Sequence, residues 1–436
     1  MFSPWRFNVD QAAAALLTSA GWTHPPKETL PTGGELVEQY LELLAALPEM
    51  RRHIHVRTRV MGVTRKGSDK VRTADRAQQP FVVRVLASDG EEQALEAKAV
   101  IDASGTWTSP NPAGADGLPA IGERQAADRI VYGIPDVLGA LRPRYAGRTT
   151  MVVGSGHSAL NALIELAELK ASAPDTRILW VMRKQNIDAA FGGGAADALP
   201  ARGALGTQAR ALVESGAVQV VSPFRISRIE RQVESALRVI GDHAGVEARM
   251  HTDHLIVATG FRPDLSFLRE VRLALDPWLE SSGTIGPLID PNLHSCGTVR
   301  PHGARELAHP EPGFFIVGMK SYGRAPTFLL ATGYEQVRSV AAALTGDLEA
   351  ATRVELTLPE TGVCSTRPRG SAVFHPLTLV RAASCCDGPA PEESDACCVH
   401  DAEAKAAGQA GCGCGSTTGS GAAETAAVTS GTEVGA

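Results

Sequence analysis

Gly154-Ser155-Gly156-His157-Ser158-Ala159 has the spacing G-x-G-x-x-A, and the chemistry this points to is binding of a dinucleotide pyrophosphate. The hexapeptide follows the apolar run TTMVV and leads into LNALIELAELK, so it stands between a strand and a helix. In that setting Gly154 makes the tight turn, Gly156 lets the backbone approach the phosphates, and Ala159 permits close helix–strand packing. Ser155, His157 and Ser158 line the loop, where the helix start offers N–H groups and partial positive charge. Leu160, Leu163, Ile164 and Ala167 are the expected inner face of the helix. The next strand, RILWV, runs through Met182 to Arg183-Lys184. An NAD site places an acid there on the ribose 2′-hydroxyl, whereas two cations suit a 2′-phosphate. NADPH is therefore expected over NADH, the other reading being a solvated basic loop.

Thiols supply a second possible chemistry. Cys296 and Cys364 stand alone, while Cys385, Cys386, Cys397, Cys398, Cys412 and Cys414 crowd the C-terminal end. Adjacent cysteines do not close a relaxed disulfide, because the geometry is strained. Their thiolates are good ligands for soft ions such as trivalent arsenic, copper(I) or zinc, and His400 could complete a zinc set. The spacing is not that of a zinc finger. A tail without any partner is the alternative.

Composition narrows the class. The 436 residues carry 42 Lys+Arg against 48 Asp+Glu, a net charge of −6, which argues against a dedicated nucleic-acid binder. No apolar run is long enough to span a membrane. The opening MFSPWRFNVDQAAAALL lacks the pattern of a secretory signal, so a cytoplasmic protein acting on a small molecule is expected.

The elements that must position these groups alternate. Thr32 and Glu35 make a capping-box pair ahead of GELVEQYLELLAAL, where Leu36, Val37, Tyr40, Leu43, Leu44 and Leu47 recur at helical spacing. HIHVRTRVMGVTR and PFVVRVLAS read as strands, with SDG as a turn. On the first of these strands His53 and His55 alternate with Arg51 and Arg57, as a surface row. From Arg148 the β-α-β alternation of a parallel sheet follows. GFFIVGMKSYGRAPTFLLATGYEQVRSV reads as a strand, a loop and a long helix, with Pro326 in its first turn. Residues 401–436 contain no aromatic residue, Leu, Ile or Met, and a disordered tail is expected there.

Two further segments share a shape. Asp102-Ala103-Ser104-Gly105-Thr106-Trp107 and Ala258-Thr259-Gly260-Phe261-Arg262 each end an apolar strand in a small-small-Gly turn, and they flank the GSGHSA unit. This arrangement resembles the flavin-containing monooxygenase-like FAD/NAD(P)-dependent oxidoreductases. Among them it is most similar to the flavoproteins of arsenic-resistance operons. The strings that carry this resemblance are FSPWRFNVD, PTGGELVEQYLELLAALP, GSGHSALNALIEL and VGMKSYGRAPTFLLATGYEQVRS, with the paired cysteines of SCCDGPAP and ACCVHD. It spans roughly residues 1–350.

The resemblance implies an α/β fold of two Rossmann-like dinucleotide-binding domains. The FAD domain would be discontinuous, residues 1–145 and 261–360, around an NADPH domain at 146–260, with a Cys-rich tail at 361–436. It implies FAD contacts at Ser104, Gly105, Thr259, Gly260, Gly318, Met319, Thr327 and Phe328, with Lys320 approaching the flavin edge. It also implies NADPH-dependent redox chemistry on a soft nucleophile such as an arsenical. There are departures. The family opens with a strand–GxGxxG–helix unit for the ADP half of FAD, and this sequence opens with residues that look like those following it. The FAD domain is therefore expected to be incomplete at its N-terminal side. Met319 stands where many relatives have Asp, and F-x-G-x-x-x-H is absent before GSGHSA. Two alternatives stand beside this reading. One is an NADPH-binding chain whose tail captures metal or metalloid. The other is a flavin-dependent disulfide reductase. Residues 150–260 contain no cysteine, so a C-x-x-C within the NADPH domain is excluded.

Overall fold

The computed structural model describes residues 1, 3–194, 197, 199–232, 236–291, 301–325 and 328–356, and the elements below belong to one compact unit. Helix Gln11–Ser19 starts at Asp10, whose carboxylate accepts the Ala13 N–H. The Thr32/Glu35 capping box forms as expected. The helix it opens is not regularly α-helical, because Val37–Leu41 is a π-helical stretch. The wider turn rotates the side chains away from a 3.6-residue stripe. Leu36 and Tyr40 are buried with Leu44 and Leu47 packed against them, while Val37 and Leu43 point to solvent.

Strands β1 (Arg59–Arg65), β2 (Phe81–Leu86) and β3 (Glu92–Ala97) form an antiparallel meander. SDG makes the β2–β3 turn, where Gly90 N donates to Ala87 O at 3.0 Å. Arg51, His53, His55 and Arg57 all precede β1, correcting the expected alternation; they are exposed in a short helix end and the turns after it. Strand β4 (Val100–Asp102) follows.

Strands β5 (Ile130–Tyr132), β6 (Thr149–Val153), β7 (Arg177–Val181) and β8 (Gln219–Val221) precede a second antiparallel meander. That meander comprises β9 (Phe224–Arg231), β10 (Leu237–His243) and β11 (Val246–Thr252), and β12 (His254–Val257) comes next. A parallel sheet joins five of these in the order β5-β12-β6-β7-β8. Strand β5 lies before residue 146, so the boundary expected at 145/146 falls among the elements of one sheet. The last strand, β13 (Phe314–Ile316), pairs parallel with β4.

Both faces of the parallel sheet are covered, which is why its strands read as continuous apolar runs. Val152, Trp180 and Ile256 face helices His157–Ser172 and Pro200–Glu214. Met151, Val153, Leu255 and Val257 face the β9–β11 meander through Phe224, Ile226, Ile229, Leu237 and Val239. The inner face of the His157–Ser172 helix is Ala159, Leu160, Ala162, Leu163, Leu166 and Leu169. Ala167 packs at its margin and Ile164 is half-buried, which corrects part of the expected stripe. Each buried leucine contributes ~1.5–3 kcal/mol to holding the helix on the sheet.

The long C-terminal helix is Leu330–Thr345. It begins later than the Pro326 start expected, and Pro326 lies outside the described residues. Among the described residues, no helix is long and apolar enough to cross a membrane.

Candidate dinucleotide site

The glycine turn stands at the end of β6, the strand from which the parallel sheet is built outward in both directions. Gly154 has φ +131°, and a Cβ there would lie 2.3 Å from Ala258 O, so the position tolerates only glycine. Its carbonyl accepts the Trp180 Nε1–H at 2.7 Å, and its N–H donates to Val181 O at 3.0 Å. The turn is thereby tied to β7 on one side and to the end of β12 on the other. Gly156 is the helix N-cap, and nothing lies within 4 Å of where its Cβ would stand. A bare backbone facing open space at a helix start is what a pyrophosphate requires. Ala159 is fully buried against the sheet, as expected. Ser155 lies between the glycines, and His157 and Ser158 begin the helix. Burial, and then the Arg202 guanidinium, pushes the His157 imidazole below its usual range against the pull of Asp197. The Arg202–Asp197 pair is itself buried and doubly bonded, at 2.7 and 2.8 Å.

Arg183 and Lys184 follow β7 and are exposed. Arg183 Nη1 donates to Ala115 O at 2.7 Å, which anchors the guanidinium to the segment ahead of β5. A guanidinium has five donors, so others remain for an anion.

The Thr259-Gly260 turn is laced to Asn111, in the segment after the Asp102–Trp107 turn, a connection that sequence reasoning did not foresee. Thr259 Oγ1 donates to Asn111 O at 2.7 Å, and Asn111 Nδ2 donates to Thr259 O at 3.2 Å. Asn111 N donates to Gly260 O at 2.9 Å. Thr259 thus spends its hydroxyl on the crossing strap. The Gly154 turn abuts the end of β12 at Ala258, while the Ser104-Gly105 turn ends β4 in the separate β13-β4 pair.

Such a parallel sheet, with a glycine turn where the strand order reverses, is a dinucleotide-binding topology. No family model and no curated protein matches the chain. Among solved structures, the bacillithiol disulfide reductase Bdr (YpdA) from Bacillus cereus aligns with a TM-score of 0.51 at 16% identity. That alignment covers 76% of this chain and 79% of the other. The enzyme of that name from Staphylococcus aureus gives 0.51 at 12% identity, covering 80% and 81%. The chain shares their fold. It is mixed α/β, with a Rossmann-like parallel sheet.

Past the ends of β4 and β13, Lys320, expected near a flavin edge, is held in a buried ion pair. Lys320 lies in the 3-10 turn Gly318–Tyr322. It points inward rather than toward a flavin edge. Its Nζ donates to Asp102 Oδ2 at 2.7 Å and to Ser104 Oγ at 3.0 Å, and sits 4.4 Å from the Phe267 ring centre. Asp102 Oδ1 accepts from Ser104 N and Ser104 Oγ. Asp102 and Lys320 are both almost wholly buried, so each offsets part of the desolvation cost of the other. The pair joins the ends of β4 and β13 across 218 positions of sequence, and no local pattern marks it.

Gly318 N donates to Gln336 Oε1 at 2.7 Å, which docks the Leu330–Thr345 helix on this turn. Nothing lies within 4 Å of a Cβ at Gly105 or Gly318, and Met319 and Ser104 are exposed. The backbone is thus unobstructed at Gly105 and Gly318, past the paired ends of β4 and β13. Phe328 is half-buried and meets Tyr322 edge-on at 5.0 Å, packing against the core. Thr327 lies outside the described residues, as do Cys385, Cys386, Cys397, Cys398, Cys412 and Cys414.

Proposed function

We propose that the chain is an NADPH-dependent flavin oxidoreductase whose dinucleotide is held by the Gly154–Ala159 turn. The observation that carries this reading is the pair of glycines at the strand-order reversal. Gly154 has no room for a side chain, and Gly156 faces open space. Ser155, Gly156, His157 and Ser158 would hold the pyrophosphate, with Arg183 and Lys184 on the 2′-phosphate. FAD would lie against Ser104, Gly105, Gly318 and Met319, with Thr259, Gly260, Thr327 and Phe328 around it. The unobstructed backbone at Gly105 and Gly318 supports that placement. The proposed division gives residues 146–260 to the dinucleotide, and residues 1–145 and 261–360 to the flavin, with β5 of the first segment completing the dinucleotide sheet. When bound, NADPH supplies a hydride and the flavin accepts it. The chain's own residues orient: Lys320 and Asp102 set the spacing of the two turns, and Gln336 fixes Gly318.

For the substrate, we propose a small soft nucleophile such as an arsenical, supported by the resemblance carried by FSPWRFNVD and VGMKSYGRAPTFLLATGYEQVRS. A second reading, a flavin-dependent disulfide reductase, is favoured by the fold shared with the bacillithiol disulfide reductases. The cysteines after residue 384 would add capture of a soft metal or metalloid. The test uses the full chain incubated with FAD, desalted, and treated with NADPH without oxygen. A flavin spectrum that bleaches supports the proposal, and a colourless protein contradicts it. NADPH consumption with arsenite and oxygen, against consumption with a low-molecular-weight disulfide, separates the two substrate classes.

A further inference from the structure

Strand order decides how a dinucleotide must lie. The glycine turn ends β6, which has β7 on one side and β12 on the other. In doubly wound sheets the ribose-reading residue at the end of the second strand takes the adenosine half. Here that end carries Arg183. The other half therefore crosses the order reversal and passes over the end of β12, at Ala258, Thr259, Gly260 and Phe261.

An aromatic platform stands at that place. The Trp107 ring lies nearly flat on the Phe261 ring, with centroids 5.5 Å apart and planes 15° from parallel. Trp107 is 78% exposed, so its outer face is open. The backbone beneath is braced: Asn111 N donates to Gly260 O and Arg262 N to Ser109 O, both at 2.9 Å, and Arg262 pairs with Glu280. An indole left in water forgoes the burial that ordinarily places large rings inside a fold. A rigid, open π face at the end of β12 matches a planar ring in offset stacking.

Resting on the dinucleotide reading above, we infer that Trp107 is the stacking platform for the nicotinamide ring of the nucleotide seated at Gly154–Ala159. Phe261 backs the indole and keeps it flat. The oxidised nicotinamide carries a positive charge, which an indole face attracts, so the effect is larger for NADP⁺ than for NADPH.

The test is calorimetric titration of the full chain with NADP⁺ and with 2′-phosphoadenosine 5′-diphosphoribose, the same molecule without nicotinamide. The wild type binds both. Trp107→Ala weakens NADP⁺ by about tenfold and leaves the fragment within about twofold, while Trp107→Phe keeps most of the NADP⁺ affinity. In the wild type, NADP⁺ quenches indole emission more than the fragment does, a readout that needs no variant. Unchanged NADP⁺ affinity in Trp107→Ala, or equal loss of both ligands, overturns the inference while leaving the dinucleotide site standing. A wild type that binds neither ligand overturns that site, and the platform with it.

Discussion

Gly154 and Gly156 stand two residues apart and face opposite constraints, which makes them separable by substitution. A methyl at Gly154 meets the Ala258 carbonyl at 2.3 Å on a left-handed backbone, so Gly154→Ala is expected to cost at least about 2 kcal/mol in thermal or denaturant unfolding. Gly156 has φ −94° and open space. Gly156→Ala is expected to hold stability within ~1 kcal/mol and to lower NADPH affinity at least tenfold by calorimetry. Arg183→Ala is expected to reduce the preference for NADPH over NADH by about tenfold, read from paired titrations. Both glycines and Arg183 were legible in the sequence, because strand, turn and helix periodicities bracket them within 30 residues. Lys320 was not. Its partner Asp102 lies 218 positions away, and spacing alone does not distinguish an inward lysine from one facing a cofactor. Trp107 and Phe261 lie in the two strand-end turns, but their stacking depends on a long-range approach, braced by Asn111 on Thr259, that local spacing does not mark.

At the scale of elements, two buried ion clusters hold the strand ends that the site needs. Lys320→Met leaves the Asp102 carboxylate buried without its cation, with an expected cost of about 3–5 kcal/mol. The double variant Lys320→Met with Asp102→Asn removes both charges and is expected to recover a large part of that loss in denaturant titrations. Glu311 bridges Arg65 at 2.8 Å and Arg76 at 2.8 Å, all three side chains nearly inaccessible. It ties β1 and the Arg76–Gln78 turn to the approach of β13. Burial pushes the Glu311 carboxyl up, but Arg76, Arg65 and the Arg272 N–H together hold it below the ordinary carboxylate range. Glu311→Gln strands two guanidinium groups and is expected to cost about as much as Lys320→Met. The parallel-sheet strands after Arg148 were legible from their apolar runs and turns, but the three-residue β5, lying before them, was not. The π-helical Val37–Leu41 was not, since a 3.6-residue stripe assumes a regular helix.

At the scale of the whole molecule, acid is the expected weakness. His254 and His309 are both buried, and burial pushes each down to about 4. Between about 4 and the ordinary 6.5, the unfolded chain holds more protons than the folded one, so stability rises with pH across that window. It is lost as pH falls from 6.5 toward 4, by up to about 1.4 kcal/mol per pH unit for each histidine. Unfolding measured from pH 7 to 5 is expected to show this slope, and His254→Phe to remove close to one proton from it. Fold class was open to sequence reading because both covered faces of the sheet leave continuous apolar strands. Chemistry beyond the dinucleotide was not, because one α/β fold serves several reactions and the thiols fall outside the described residues. The central claim is that the Gly154–Ala159 turn seats NADPH. Its most direct test is calorimetric titration of the full chain and of Gly156→Ala with NADPH. The account predicts saturable binding by the wild type and at least a tenfold loss in a variant that remains folded. A wild type that does not bind, or a folded Gly156→Ala that binds equally well, would contradict it.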